Sequence, residues 1–96
     1  MRVRYTSRAF SDLTEIYGYV SVRNPAAAGK IVTTIRTAVE GLTVFPERGR
    51  GTDEPNVRVL LAGRFPYRIY YRVGSEEVLI IHIRHAARKD PEPGTL

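Results

Sequence analysis

Several charged side chains and one histidine, most of them in the second half of the sequence, are of the types needed for chemistry on a phosphodiester. RNA can be cleaved by its own 2′-hydroxyl when a protein supplies a general base, a general acid and cations around the phosphate. The side chains that could do this are Glu47, Arg68, Arg84, His85 and Arg88. The same arginines could instead contact a protein partner, because their planar forks bind carboxylates well. We favour this structural or interaction role over catalysis.

Other kinds of chemistry are excluded or disfavoured by the residues present. The sequence has no cysteine, so disulfides and thiolate chemistry are both ruled out. His82 and His85 lie three residues apart in a predicted strand and should point to opposite faces, so they should not share a metal ion. Gly49-Arg50-Gly51 is not followed by the lysine and hydroxyl residues of a phosphate loop. We therefore expect neither a metal site nor a cofactor.

The charge of the chain is positive and unevenly distributed. Its 96 residues include 15 lysines and arginines against 10 acidic residues, which gives a net charge of +5. Nine basic and four acidic residues lie between Arg48 and Lys89, so an anionic partner should meet this part of the chain first. No stretch has the apolar length of a signal peptide or a membrane span. We expect a soluble, cytoplasmic protein of one domain.

The elements that must position these side chains can be predicted from hydrophobic periodicity. Residues 2–6 alternate as a strand, and apolar residues then recur at helical spacing to about residue 22. Asn24-Pro25 favours a new helix start, and a second apolar stripe ends at Pro46. After an exposed loop at residues 46–55, three strands are predicted at 57–62, 66–73 and 78–84. The order β-α-α-β-β-β predicts an α+β fold in which a two-helix antiparallel hairpin packs on a small, mostly antiparallel sheet.

The last two strands should form a hairpin with two largely apolar faces. If Val73 pairs with Val78, alternation assigns every other residue to the helix side. That face would carry Tyr67, Ile69, Tyr71, Val73, Val78, Ile80, His82 and Arg84. The second face would carry Arg68, Tyr70, Arg72, Leu79, Ile81, Ile83 and His85. Because the second face is also apolar, something should cover it.

The boundaries of the domain are predicted from composition. Residues 1–91 should form the single folded unit, since the apolar periodicity described above ends within them. The stretch RKDPEPGTL, residues 88–96, is polar with two prolines and predicts a frayed end. Residues 92–96 are assigned as a polar C-terminal tail.

Several quoted segments carry a resemblance to a known family. They are LTEIYGYV, NPAAA and FPERGR in the first half, and RVLLAGRFPYRIYYRV followed by VLIIHIRHAARK in the second. Together they resemble the RelE/ParE family of bacterial type II toxins, over roughly residues 2–91. The resemblance implies a small antitoxin that folds onto the toxin and covers the second face. Its acidic, apolar segment would contact Arg68, Tyr70, Arg72, Leu79, Ile81 and Ile83.

The family that the sequence resembles divides by target. RelE-like members cleave ribosome-associated mRNA, and in this chain Arg68, Arg84 and His85 would surround the scissile phosphate. ParE-like members inhibit DNA gyrase and are not nucleases. No tyrosine follows residue 71, and this favours the ParE-like branch with a ParD-type antitoxin. Arg84, His85, Arg88 and Lys89 would then contact the target, and nucleic acid would be met only through it. A degenerate toxin that only binds its antitoxin and represses its operon is a third alternative.

Overall fold

A five-stranded sheet with two helices on one face forms the fold. The computed structural model describes residues 1–92 and 94–96. Its elements are β1 Arg2–Tyr5, α1 Ser7–Arg23, α2 Pro25–Gly41, β2 Arg50–Gly51, β3 Arg58–Leu61, β4 Tyr67–Val73 and β5 Glu77–His85. The strands lie in the order β1-β5-β4-β3-β2, with β1 parallel to β5 and all other neighbours antiparallel. The predicted α+β arrangement is confirmed, and the short β2 is an addition at one edge.

Polar caps define where both helices begin. Thr6 precedes α1, and its hydroxyl oxygen accepts a hydrogen bond from the backbone N–H of Ala9 at 3.1 Å. Asn24 ends α1, and its side-chain oxygen accepts from the N–H of Ala27 at 3.1 Å, with Pro25 at the start of α2. Each cap satisfies an N–H group that a first helical turn leaves without a helical partner. One residue therefore separates the two helices, as the sequence predicts.

The main core lies between the helices and the sheet. It consists of Ala9, Ile31, Ile35, Val39, Leu42, Ala62, Tyr67, Ile69, Tyr71, Val78, Ile80 and Ile83. Within it, the Tyr71 hydroxyl donates to the carbonyl of Pro46 at 2.8 Å and accepts from the N–H of Gly49 at 2.8 Å. A Cβ at Gly49 would lie 2.6 Å from this hydroxyl, so only glycine fits. The loop before β2 is thereby fastened to the core.

The β4-β5 hairpin contains a β-bulge that the sequence did not predict. Ile81 is an extra residue in β5 and has no partner opposite it on β4. The pairs on either side of it are Val73–Val78, Arg72–Leu79 and Tyr71–Ile80 before the bulge, and Tyr70–His82, Ile69–Ile83 and Arg68–Arg84 after it. The predicted pairing of Val73 with Val78 is confirmed.

Beyond the bulge, the predicted face assignment of β5 is wrong. Ile83, predicted on the second face, lies in the main core and is 3% exposed. Arg84, predicted on the helix side, pairs with Arg68 on the opposite side. His85 lies on the helix side, where its ring meets that of Tyr67 edge to face at a centroid distance of 5.3 Å. The physical reason is that one inserted residue reverses the direction of every following side chain.

The second face of the sheet is covered by the C-terminal part of the same chain. Leu96 packs on a second buried cluster, which consists of Val57, Val59, Tyr70 and Ile81 with Leu79 beside it. Residues 94–96 therefore lie against the sheet and do not extend from it as the predicted frayed tail. The division of the chain into a domain at residues 1–91 and a polar tail at 92–96 stays a prediction.

Candidate functional site

The candidate site is the face of the sheet that points away from the helices. We call this surface the outer face and define it by Val57, Val59, Arg68, Tyr70, Arg72, Leu79 and Ile81. Alternation along β4 places its three members there, as the sequence predicts. Five of the six residues predicted to contact an antitoxin lie on this face. The sixth, Ile83, points into the main core because of the bulge.

Tyr70 is the buried centre of the outer face. It is 1% exposed, and its hydroxyl donates to a carboxylate oxygen of Asp90 at 2.6 Å. Burial raises the pKa of Tyr70 to about 12, and the hydrogen bond and charge of Asp90 act in the same direction, against Arg68 and Arg84. In the free chain the ring is covered, so it is not available for stacking on a base.

Two arginines, one on either side of Tyr70, contact residues near the C-terminus. Arg68 donates to the carbonyl of Arg88 at 3.2 Å and lies 3.7 Å from the Asp90 carboxylate. Arg72 donates to the carbonyl oxygen of Leu96 at 3.0 Å. The outer face thus combines an apolar strip with two guanidinium groups, which is a surface suited to a peptide that is both acidic and apolar.

A buried histidine connects this face to α1. His82 Nδ1 lies 2.6 Å from a carboxylate oxygen of Asp12, and the same oxygen accepts from the N–H of Ile83 at 2.9 Å. A guanidinium nitrogen of Arg8 lies 3.4 Å from Nε2. Burial lowers the pKa of His82, Asp12 opposes this, and Arg8 and Arg84 add to the lowering. A neutral ring that donates from Nδ1 and accepts at Nε2 fits all of these partners.

The Asp12 contact could not be predicted from the sequence. His82 was expected to be packed, and it is, but its partner lies 70 residues earlier on a helix. Asp12 lies just beside the apolar stripe of α1, where a carboxylate is normally expected to be exposed to solvent. Its role is to cap β5 where β1 ends, because the β1 pairing reaches only to Ile80.

A cationic cleft lies between the start of α1 and the end of β5. Arg8, Arg84, His85 and Arg88 line it, together with Ser7, Ser11, Asp12, Glu15, His82 and Ile83. The buried Nε of Arg84 has no hydrogen-bond partner among the described residues. Three of the four residues predicted to contact the target therefore meet at this cleft, and Lys89 is not among those lining it.

The residues predicted for RNA cleavage are divided between two surfaces. Arg68 lies on the outer face and His85 on the helix side, because the bulge separates their directions. Of Arg68, Arg84 and His85, only Arg84 both pairs with a residue of the outer face and lines the cationic cleft. Glu47 does not line the cleft. Within residues 1–92 and 94–96, no three histidine, aspartate or glutamate side chains gather as metal ligands. Neither helix in that part of the chain is long and apolar enough to cross a membrane.

Comparison of the sequence with known proteins finds toxins. Residues 3–90 match the family described as ParE toxin of type II toxin-antitoxin system, parDE. Toxin RelE2 of Caulobacter vibrioides is 40% identical over 87 residues, which cover 91% of this chain and 97% of that protein. Y4kP of Sinorhizobium fredii, named as a candidate toxin, is 37% identical over 91 residues, covering 95% of this chain and 94% of that protein.

Solved structures show the same fold. A chain from the chromosomal ParDE TA system of P. aeruginosa is 32% identical with a TM-score of 0.79, covering 88% of this chain and 95% of that one. A YoeB/ParE toxin from Agrobacterium tumefaciens shares the fold at 19% identity, with a TM-score of 0.61 and coverage of 88% and 98%. Because the family match spans nearly the entire sequence, this chain belongs to the ParE toxin family of type II toxin-antitoxin systems.

Proposed function

We propose that this toxin inhibits DNA gyrase in the cytoplasm and that a ParD-type antitoxin neutralises it by binding the outer face. The observation that carries the antitoxin part is the make-up of that face, where Arg68 and Arg72 flank an apolar strip. An antitoxin segment with carboxylates and apolar anchors would satisfy both features. The 32% identity to a chain of a ParDE system supports the choice of antitoxin class.

The arrangement of the basic residues favours gyrase over RNA as the target. Cleavage of RNA needs an acid, a base and cations that converge on one phosphate. Arg68 and His85 point to opposite sides of the β4-β5 hairpin, and Tyr70 is covered. We therefore assign no catalytic residue. Contact with gyrase is assigned to the cationic cleft through Arg84, His85 and Arg88, with Lys89 beside it.

Expression of the chain without antitoxin tests the proposal. We expect growth arrest, filamentation and loss of DNA supercoiling by gyrase, with bulk mRNA intact. In a purified gyrase assay, Arg84→Ala with Arg88→Ala should raise the toxin concentration needed for half-inhibition at least tenfold. The matched control is Arg23→Ala, which removes an exposed guanidinium from the far end of α1. Supercoiling that is unaffected by the purified toxin would overturn the gyrase assignment.

A second candidate is ribosome-dependent cleavage of mRNA. It is favoured by the names of two relatives, RelE2 at 40% and RelE3 at 32% identity. It is also favoured by Arg68 and Arg84, which lie opposite each other on neighbouring strands. This candidate predicts cleavage of ribosome-bound mRNA that Arg84→Ala abolishes. Intact mRNA in the presence of purified toxin and translating ribosomes would exclude it.

A further inference from the structure

Residues 90–92 and 94–96, which we call the C-terminal segment, make several kinds of contact with the outer face and its surroundings. Asp90 accepts a hydrogen bond from Tyr70 and lies near Arg68, and Leu96 packs on the apolar cluster while its carbonyl accepts from Arg72. The backbone N–H of Gly94 also donates to the Glu54 carboxylate. The segment therefore holds both an acidic and an apolar contact with one continuous surface.

The composition of this segment is complementary to the surface below it. Residues 90–96 contain two acidic residues, Asp90 and Glu92, and no basic residue, and they end on an apolar side chain. The stretch from Arg48 to Lys89, which includes every residue of the outer face, has nine basic residues against four acidic ones. The segment thus brings carboxylates to the arginines of the outer face and an apolar side chain to its apolar strip.

The contacts that the segment makes with the sheet can be replaced by those of another peptide. Residues 90–92 and 94–96 form no strand pairing with the sheet, and the Asp90 carboxylate is 63% exposed. A cavity of about 220 Å³ remains between the segment, Tyr70 and residues 50–54. An exposed ion pair and loose packing contribute little stability each. The main core includes no residue after Ile83, so the segment lies outside it.

We propose that the outer face is a receptor for an extended acidic peptide with an apolar anchor, and that Asp90 and Leu96, at the two ends of the segment, occupy this receptor in the free toxin. A partner segment of the same chemistry then has to displace them. That the partner is the antitoxin rests on the function proposed above. While the segment is bound, it shields Tyr70 and Ile81 from water. The partner binds only those chains whose segment has been released, so its apparent affinity is reduced in proportion to their fraction.

Binding of the segment in trans tests the receptor without any antitoxin. The probe is a labelled seven-residue peptide with the sequence of residues 90–96, and the receptor is a variant that ends at Lys89. We expect the peptide to bind this variant, and to bind the intact chain about tenfold more weakly, because a short tether gives an effective concentration near the millimolar range. A control peptide with Asp90→Asn and Leu96→Ser should not bind. Failure of the first peptide to bind the folded variant would overturn the proposal.

A second, full-length variant covers the case in which the shortened chain does not fold. Asp90→Ala with Leu96→Ser should release the segment and let the peptide bind about as well as it binds the shortened chain. Lys89→Ala is the matched control, since this exposed side chain makes no described contact with the sheet. Equal peptide binding by the double variant, the control and the unaltered chain would count against occupancy in cis.

Competition with the antitoxin separates this proposal from the proposed function. The antitoxin should bind the shortened chain about tenfold more tightly than the intact one, and excess peptide should reduce its binding. If the antitoxin neutralises the toxin but neither effect is seen, displacement is refuted while neutralisation stands. If the peptide binds but no ParD-type antitoxin does, the proposed partner is wrong and the receptor remains.

Discussion

Asp12 joins α1 to β5 by accepting two hydrogen bonds with one carboxylate oxygen. One comes from the buried ring of His82 and the other from the backbone N–H of Ile83. Removal of Asp12 would leave both donors buried without a partner, and each such group costs on the order of 1–3 kcal/mol. We expect Asp12→Ala to lower the free energy of unfolding by about 3 kcal/mol in urea titrations. Glu15→Ala, an exposed neighbour on α1, should change it by less than about 0.5 kcal/mol. Equal effects would mean that the contact is not structural.

His82 should also make stability depend on pH. Its pKa is lowered in the folded chain by burial, with Arg8 and Arg84 acting in the same direction and Asp12 against them. The unfolded chain then binds more protons than the folded one, so stability is fully present above about pH 6.5 and falls as pH is lowered. We expect His82→Gln to flatten the slope of unfolding free energy between about pH 7 and pH 5. His85→Gln, which replaces the other histidine of the sequence, is the matched control. If the slope of unfolding free energy with pH is unchanged in His82→Gln, another titratable group is responsible for it.

The bulge in β5 decides which side chains reach the core and which reach the outer face. Without it, Ile83 would share a face with Leu79, and the two positions would tolerate truncation alike. With it, Ile83 is buried in the main core while Leu79 lies partly exposed at the rim of the second cluster. We expect Ile83→Ala to cost about 3 kcal/mol of unfolding free energy and Leu79→Ala about 1 kcal/mol. Similar losses in the two variants, measured by urea titration, would contradict the bulge.

Most of the elements could be predicted from the sequence, and the bulge could not. The start of α2 was predicted because Asn24 is a local signal that acts within one turn. The sequence gives no sign of the bulge because residues 78–81, VLII, are apolar at consecutive positions, so either register buries an isoleucine. The cover of the outer face was missed for a related reason. A polar segment with two prolines predicts disorder by composition, whereas Leu96 and Asp90 bind through contacts formed only after folding.

The summed charge of the chain should speed its encounter with an acidic partner. Nine basic residues against four acidic ones lie between Arg48 and Lys89, and no described carboxylate pairs with Arg48 or Arg50. Exposed charges act over about 10 Å at 0.1 M salt and much less at 1 M. We therefore expect the association rate constant with the antitoxin to fall about tenfold between about 0.05 M and 0.5 M NaCl, while dissociation changes less.

Two variants of equal net charge locate the source of this attraction. Arg48→Ala with Arg50→Ala removes two exposed cations at the β2 edge of the sheet, and Arg2→Ala with Arg4→Ala removes two on β1 at the other edge, where Glu77 already offsets them. Stopped-flow measurements should show slower association and a weaker salt dependence only for the first pair. Equal slowing by both pairs would mean that net charge alone governs the encounter. Salt-independent association would mean that charge does not steer this toxin to its partner.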